Sequence, residues 1–181
     1  MRALVVYESM YGNTRAVASN ISDGLRGTHE VSLLPVAQAT GELIETADLL
    51  VVGGPTHMHG LSSHSTRKMA ASAAGKPDSG LALDPDAGDP GLREWLHVMG
   101  HRQGLAAAFD TRLSGAPAFT GRAGRAIGRL LKRHGYRLVA DPESFLVSQQ
   151  NTLLDGETAR ARQWGAMIGA AAGRVHYPAH T

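Results

Sequence analysis

The chain of 181 residues predicts an α/β fold, a doubly wound five-stranded parallel sheet with helices on both faces. Three observations lead there. Short apolar runs alternate with helix-period segments along the chain, and that alternation builds parallel sheets. The best strand candidates are apolar throughout rather than at every second residue, as strands covered on both faces are. The hydrophobic share of 43% is carried mostly by small residues, with only two Trp, four Tyr and three Phe, which suits helices packed close onto a sheet. The length fits one domain, residues 1–181, with a sizeable core.

The first strand candidate is Ala3-Leu4-Val5-Val6-Tyr7. It is followed by Ser9-Met10-Tyr11-Gly12-Asn13-Thr14 and a helix over residues 14–26, with Val17, Ile21 and Leu25 on one stripe. Small hydroxyls and a glycine at a helix N-terminus aim backbone N–H groups at a point where the helix dipole is positive, a site for a phosphate dianion. No Gly-Lys-Ser/Thr closes the turn and no G-x-G-x-x-G is present, so the ligand implied is a mononucleotide-like phosphate ester. Residues 30–34 form a second strand closed by Pro35, and Thr40 caps a short helix. Residues 48–54 form a third strand, ending in Pro55-Thr56-His57-Met58-His59-Gly60.

A Ser/Ala-rich helical stretch and a run of turn signals follow, in which residues 61–90 read as a flexible insert, either a flap or a partner-facing segment. A helix over residues 92–99 leads to a fourth strand, 105–109, and a loop opening on Asp110, Thr111 and Arg112. Residues 121–134 form a strongly basic helix. A fifth strand comes in two pieces, 136–139 and 144–147, broken by Asp141-Pro142. The last helix spans about 156–172 with Gly165, Gly169 and Gly173 on one face, expected to pack on the sheet rather than on a second subunit.

Tyr7-Glu8-Ser9-Met10-Tyr11-Gly12-Asn13-Thr14, between a strand and a helix, resembles the N-terminal signature of the flavodoxins, a family of FMN-binding redox domains. The strand followed by Gly53-Gly54-Pro55-Thr56 is the second point of resemblance. The resemblance implies that Ser9, Met10, Tyr11, Gly12, Asn13 and Thr14 hold the FMN phosphate. It further implies that Pro55, Thr56, His57, Met58, His59 and Gly60 line one side of the flavin ring, and Asp110, Thr111 and Arg112 the other. The third-strand loop lacks the aromatic residue that flavodoxins commonly stack on the ring, and a histidine or thioether takes that place here. Phe109 and Trp95 read as core residues.

The other constellations lead to blander readings. A net charge of +2 does not make a nucleic-acid protein. Absence of cysteine excludes disulfides and thiolate chemistry. No apolar run reaches membrane-spanning length and the first strand starts at once, so no signal peptide is expected and cytoplasm is the default. His57 and His59, with His97 and His101, could in principle ligate a metal, but nothing places the pairs together and no metal site is expected. Ser9 lacks a Gly-x-Ser-x-Gly elbow, so no catalytic side chain is expected. The functional expectation is an FMN-binding redox protein that transfers electrons between protein partners. Two alternatives stand beside it. One is an NAD(P)H-dependent quinone reductase whose insert is a lid or a homo-oligomer contact. The other is a non-redox binding module that has lost flavin.

Overall fold

The first strand is apolar from Ala3 to Tyr7 because helices cover both of its sides. In the computed structural model, which describes residues 1–57, 60–88, 90–116 and 120–176, Leu4 and Val6 of β1 (Arg2–Tyr7) face one core and Ala3, Val5 and Tyr7 the other. The alternation repeats in β3 (Leu49–His57) and β5 (Gly104–Leu113). Leu50, Val52, Ala106 and Ala108 join the first core, and Leu49, Val51, Ala107 and Phe109 the second.

The remaining elements, in chain order, are α1 (Asn13–Leu25), β2 (Glu30–Pro35), a 3-10 turn (Val36–Gln38), α2 (Gly41–Glu45), β4 (Gly60–Leu61), α3 (His64–Ala74), α4 (Leu92–Val98), α5 (Ala123–Arg133), β6 (Tyr136–Leu138), β7 (Glu143–Val147) and α6 (Glu157–His176). The sheet order is β2-β1-β3-β5-β6, all parallel, with β4 antiparallel to β3 and β7 parallel to β5. Both β6 and β7 run along β5, β6 beside residues 104–106 and β7 beside residues 109–113, so the fifth strand is split in two. From α4 and α5, Leu92, Trp95, Leu96, Ala123, Ile127 and Leu131 cover one face. From α1 and α6, Val17, Ile21, Leu25, Trp164 and Ile168 cover the other. The doubly wound sheet is therefore the fold, and the chain reverses its winding between β1 and β3.

Phe109, Phe145 and Trp164 meet edge to face with centroids 6.2–6.3 Å apart inside the second core. Gly53 makes room for this cluster, since a Cβ there would lie 2.1 Å from the Phe109 ring. Phe109 is fully buried and Trp95 nearly so, its indole N–H donating to the Ala39 carbonyl at 2.8 Å.

Two expectations need correction. Asp110, Thr111 and Arg112 belong to β5 itself and not to a loop after it. Gly54 and Pro55 of β3 pair with Asp110 and Thr111 on one side, while Ser144, Phe145 and Leu146 of β7 pair with residues 110–112 on the other. With a ladder on each side the strand continues to Leu113. The glycine face of α6 packs on α1, not on the sheet. A Cβ at Gly165 would lie 2.2 Å from the Ile21 carbonyl oxygen, and one at Gly24 of α1 would lie 2.0 Å from the Arg162 oxygen. Glycine on both helices lets the two backbones touch, and Gly173 lies past the contact with nothing within 4 Å.

Gly165→Ala is therefore expected to destabilise the fold by about 1–3 kcal/mol through overpacking, despite the better helix propensity of alanine. Gly173→Ala, free of that contact, should be neutral or stabilise by up to about 1 kcal/mol. Urea midpoints of the two variants, compared with the parent, check both signs.

Candidate cofactor site

In open α/β sheets a ligand sits outside the carboxyl ends of the strands where the winding reverses. A cavity of about 220 Å³ lies there, lined by Met10, Tyr11, Asn13, Thr14, Pro55, Thr56, His57, Thr111, Arg112, Leu113, Val147 and Asn151. Nine of the candidates named from the sequence thus meet in one place, contributed by the turn after β1, the end of β3 and the end of β5.

The turn is built to present N–H groups. Gly12 takes φ +90°, a left-handed conformation that costs other L-residues about 1–2 kcal/mol. No side chain caps the start of α1. Ser9 is fully buried and braces the turn from within, its Oγ accepting the Gly12 N–H at 3.1 Å. The Thr14 hydroxyl lies 2.7 Å from that of Thr111, which joins the turn to β5. Asn13 Nδ2 donates to the carbonyl and side-chain oxygens of Asn151 at 2.9 and 3.1 Å. The segment 61–90 is bonded to the same turn. Asp84 N–H donates to the Met10 carbonyl at 2.8 Å, the Tyr11 hydroxyl to Ala70 at 2.9 Å, and the Tyr7 hydroxyl to Asp86 at 2.9 Å. The Asp84 carboxylate, buried behind Gly12, is neutralised by Arg15 at 3.2 Å. Burial and the Asp86 carboxylate raise the Tyr7 phenol well above its ordinary range, so it stays a donor.

Other candidates stand back from the cavity. Asp110 points away from it, fully buried, and accepts the Gly124 N–H of α5 at 2.6 Å. Thr56 Oγ1 accepts the Ala123 N–H at 2.9 Å, so both strand ends hold the start of α5. Gly60 pairs with His57 in the β3–β4 turn, and Met58 and His59 lie outside the described residues. Three wall residues, Leu113, Val147 and Asn151, were not anticipated. The signal was a polar run, Ser148-Gln149-Gln150-Asn151-Thr152, just past the carboxyl end of the last strand. Glu8 was missed too. It is a buried carboxylate whose Oε2 accepts from the Ser62 hydroxyl at 2.7 Å and the Leu92 N–H at 2.6 Å.

The cavity walls carry hydroxyls, amides, one imidazole and one guanidinium, and no carboxylate among the described residues. With an uncapped helix N-terminus beside them, these donors fit a phosphate ester attached to a flat ring system. The fold and site together define a flavodoxin-type, flavin-binding domain.

A family model described as Flavodoxin matches residues 5–94. The flavodoxin of Aquifex aeolicus (strain VF5) is 41% identical over 59 residues, a match that spans 32% of this chain and 32% of that protein. A flavodoxin from the domain Archaea superposes with a TM-score of 0.66 at 19% identity, covering 96% of this chain and 99% of its own. Oxidised flavodoxin 1 from Bacillus cereus superposes with a TM-score of 0.63, also at 19% identity, covering 93% and 97%. The Flv1 flavodiiron core of Synechocystis sp. PCC6803 gives 0.63 at 16% identity, covering 97% of this chain but 36% of that one. The chain belongs to the flavodoxin family, whose members bind FMN.

The buried Asp110 yields a stability signature. Burial raises its carboxyl above the ordinary range, opposed by the Gly124 N–H, Ser144, Thr56 and Arg112. A raised folded-state value means that stability is fully present below the ordinary Asp range and declines as pH rises through the raised value. Asp110→Asn keeps an acceptor for Gly124 and removes this dependence. Its stability relative to the parent should therefore climb as pH rises from about 4, as read from urea midpoints at several pH values.

Proposed function

We propose that the chain binds one FMN non-covalently in this cavity and carries electrons between protein partners. The observation that carries the reading is the meeting, at the switch point of the sheet, of an uncapped helix N-terminus with a carboxylate-free cavity. The N–H groups of the Gly12–Thr14 turn and the Thr14 hydroxyl would hold the phosphate. Thr56, His57 and Thr111 would flank the ring, and Asn13, tied to Asn151, fixes the distance between the two regions. FMN, when bound, supplies the redox chemistry, and the protein's part is to position it, exclude water and set the local charge.

A protein partner is favoured by the helix next to the site. The start of α5 is bonded to Thr56 and Asp110, and its outer face presents exposed Arg125, Arg129, Lys132 and Arg133. A basic face beside the cofactor steers an acidic partner towards it.

Titrating the cofactor-free protein with FMN should quench flavin fluorescence and develop a bound-flavin visible spectrum. A protein that stays colourless in excess FMN overturns the proposal. Thr14→Val should weaken FMN binding by about 1–3 kcal/mol through loss of a charge-assisted bond. The loaded protein should keep its colour with NAD(P)H alone and bleach only when a separate reductase is added. Rapid bleaching by NAD(P)H would instead identify a nicotinamide-dependent reductase.

A further inference from the structure

His57 is the one imidazole among the described residues that line the cavity, and a carboxylate is anchored next to its strand, bonded to Ser62, the residue that follows β4, the partner strand of His57. That carboxylate is Glu8, at the end of β1. Its Oε2 is taken up by Ser62 and Leu92, while its Oε1 is buried and has no hydrogen-bond partner among the described residues. A buried carboxylate oxygen left unsatisfied is costly unless a positive charge compensates it. An imidazole between such a carboxylate and a redox cavity can be neutral in one charge state of the cavity and protonated in the other.

We propose that His57 is a redox-linked proton site, taking up a proton when the cofactor is reduced, with Glu8 as the positioning residue that stabilises the imidazolium. The inference rests on FMN binding in this cavity. Two electrons from a reductant reduce the ring, which takes one proton from water and is left with one net negative charge. A second proton, also from water, goes to the His57 ring and cancels that charge. Two electrons and two protons thus enter together, and re-oxidation releases both protons.

The surroundings agree with the sign. With the cavity free of negative charge, burial holds the imidazole below its ordinary value, Glu8 pulls it up and Arg67 pushes it down. Arg67, from α3, is ion-paired to Glu94 at 3.1 Å. From β5, Arg112 lines the same cavity, and from the turn after β1 so does the Tyr11 phenol, which burial keeps protonated. β4, the partner of His57 in the ladder, contributes only Gly60 and Leu61. At the start of α5, which Thr56 holds, Arg122 is the charged residue. A negative charge arriving in the cavity adds to the pull of Glu8 and raises the imidazole, so the protonation window opens below pH 6.5 and extends upward.

The test uses the FMN-loaded full chain reduced by dithionite. Within the window the two-electron reduction constant should fall by one further factor of ten per pH unit because of the second proton, a slope increment of about 30 mV per unit. His57→Gln should lose that increment, the potentials being read with the variant saturated with FMN. Direct NMR titration of the His57 ring should show its pKa below 6.5 in the oxidised protein and at least one unit higher in the reduced one. In Glu8→Gln it should be lower than the parent in both states. An unchanged slope in His57→Gln, or a His57 pKa that does not move on reduction, overturns the proposal while leaving FMN binding standing. Failure of the parent to bind FMN is a separate result, seen in the fluorescence titration before any potential is measured. If Glu8→Gln does not fold, the His57→Gln slope and the parent NMR titration still decide.

Discussion

In the turn from β1 into α1 no side chain among the described residues caps the first N–H groups of the helix, while Ser9, Met10 and Thr14 around them are buried. Exposed donors at a helix start are normally satisfied by a cap or by water. Here distant parts of the chain hold the turn open. Ser9 fixes it from inside, Thr111 of β5 meets Thr14, Asn151 binds Asn13, and Asp84 binds Met10. Gly12 supplies the left-handed bend that aims the chain back into α1. Each contact gives a polar group of the turn a partner within the protein.

The rest of the architecture serves that position. The central strands carry small or β-branched residues because both faces are covered, and Ala106, Ala107 and Ala108 bring the helices close. A Cβ on Gly128 of α5 would lie 3.1 Å from Leu138 and 3.8 Å from the Ala108 Cβ, so α5 sits low on the sheet. That seats its start against Thr56 of β3 and Asp110 of β5, the two strands that run side by side towards the cavity. The electrostatics are arranged in layers. Carboxylates such as Glu8, Asp84 and Asp110 lie behind the cavity walls and are bonded or ion-paired there, while the walls themselves are free of acid among the described residues.

Much of this could be read from residue order. The apolar runs of β1 and β3 and the stripe of Val17, Ile21 and Leu25 were clear because burial on both faces or on one helix face imposes a period. The tight turn between the first strand and helix was clear because few residue types tolerate its left-handed bend at Gly12. What escaped was tertiary. Nothing local says that Asp110, Thr111 and Arg112 continue a strand, since the ladder that extends it comes from residues 143–147. The glycines of α6 were visible, but their partner, Gly24, lies on a helix far earlier in the chain. Glu8 looked like a loop residue, and its burial depends on Ser62 and the start of α4. Periodicity reports which side of an element is covered and is silent about what covers it.

The bonds that brace the turn join residues far apart in order: Thr14 to Thr111 is 97 positions, and Asn13 to Asn151 is 138. On a ribosome, which adds roughly 5–20 residues per second, this turn is among the first segments to emerge, and its supports Asp84, Thr111 and Asn151 follow in that order. For most of synthesis the nascent chain carries the turn without all of the contacts that brace it. Bracing of this turn is accordingly a late event, completed when the segment between β7 and α6 arrives rather than when the first strand and helix are made.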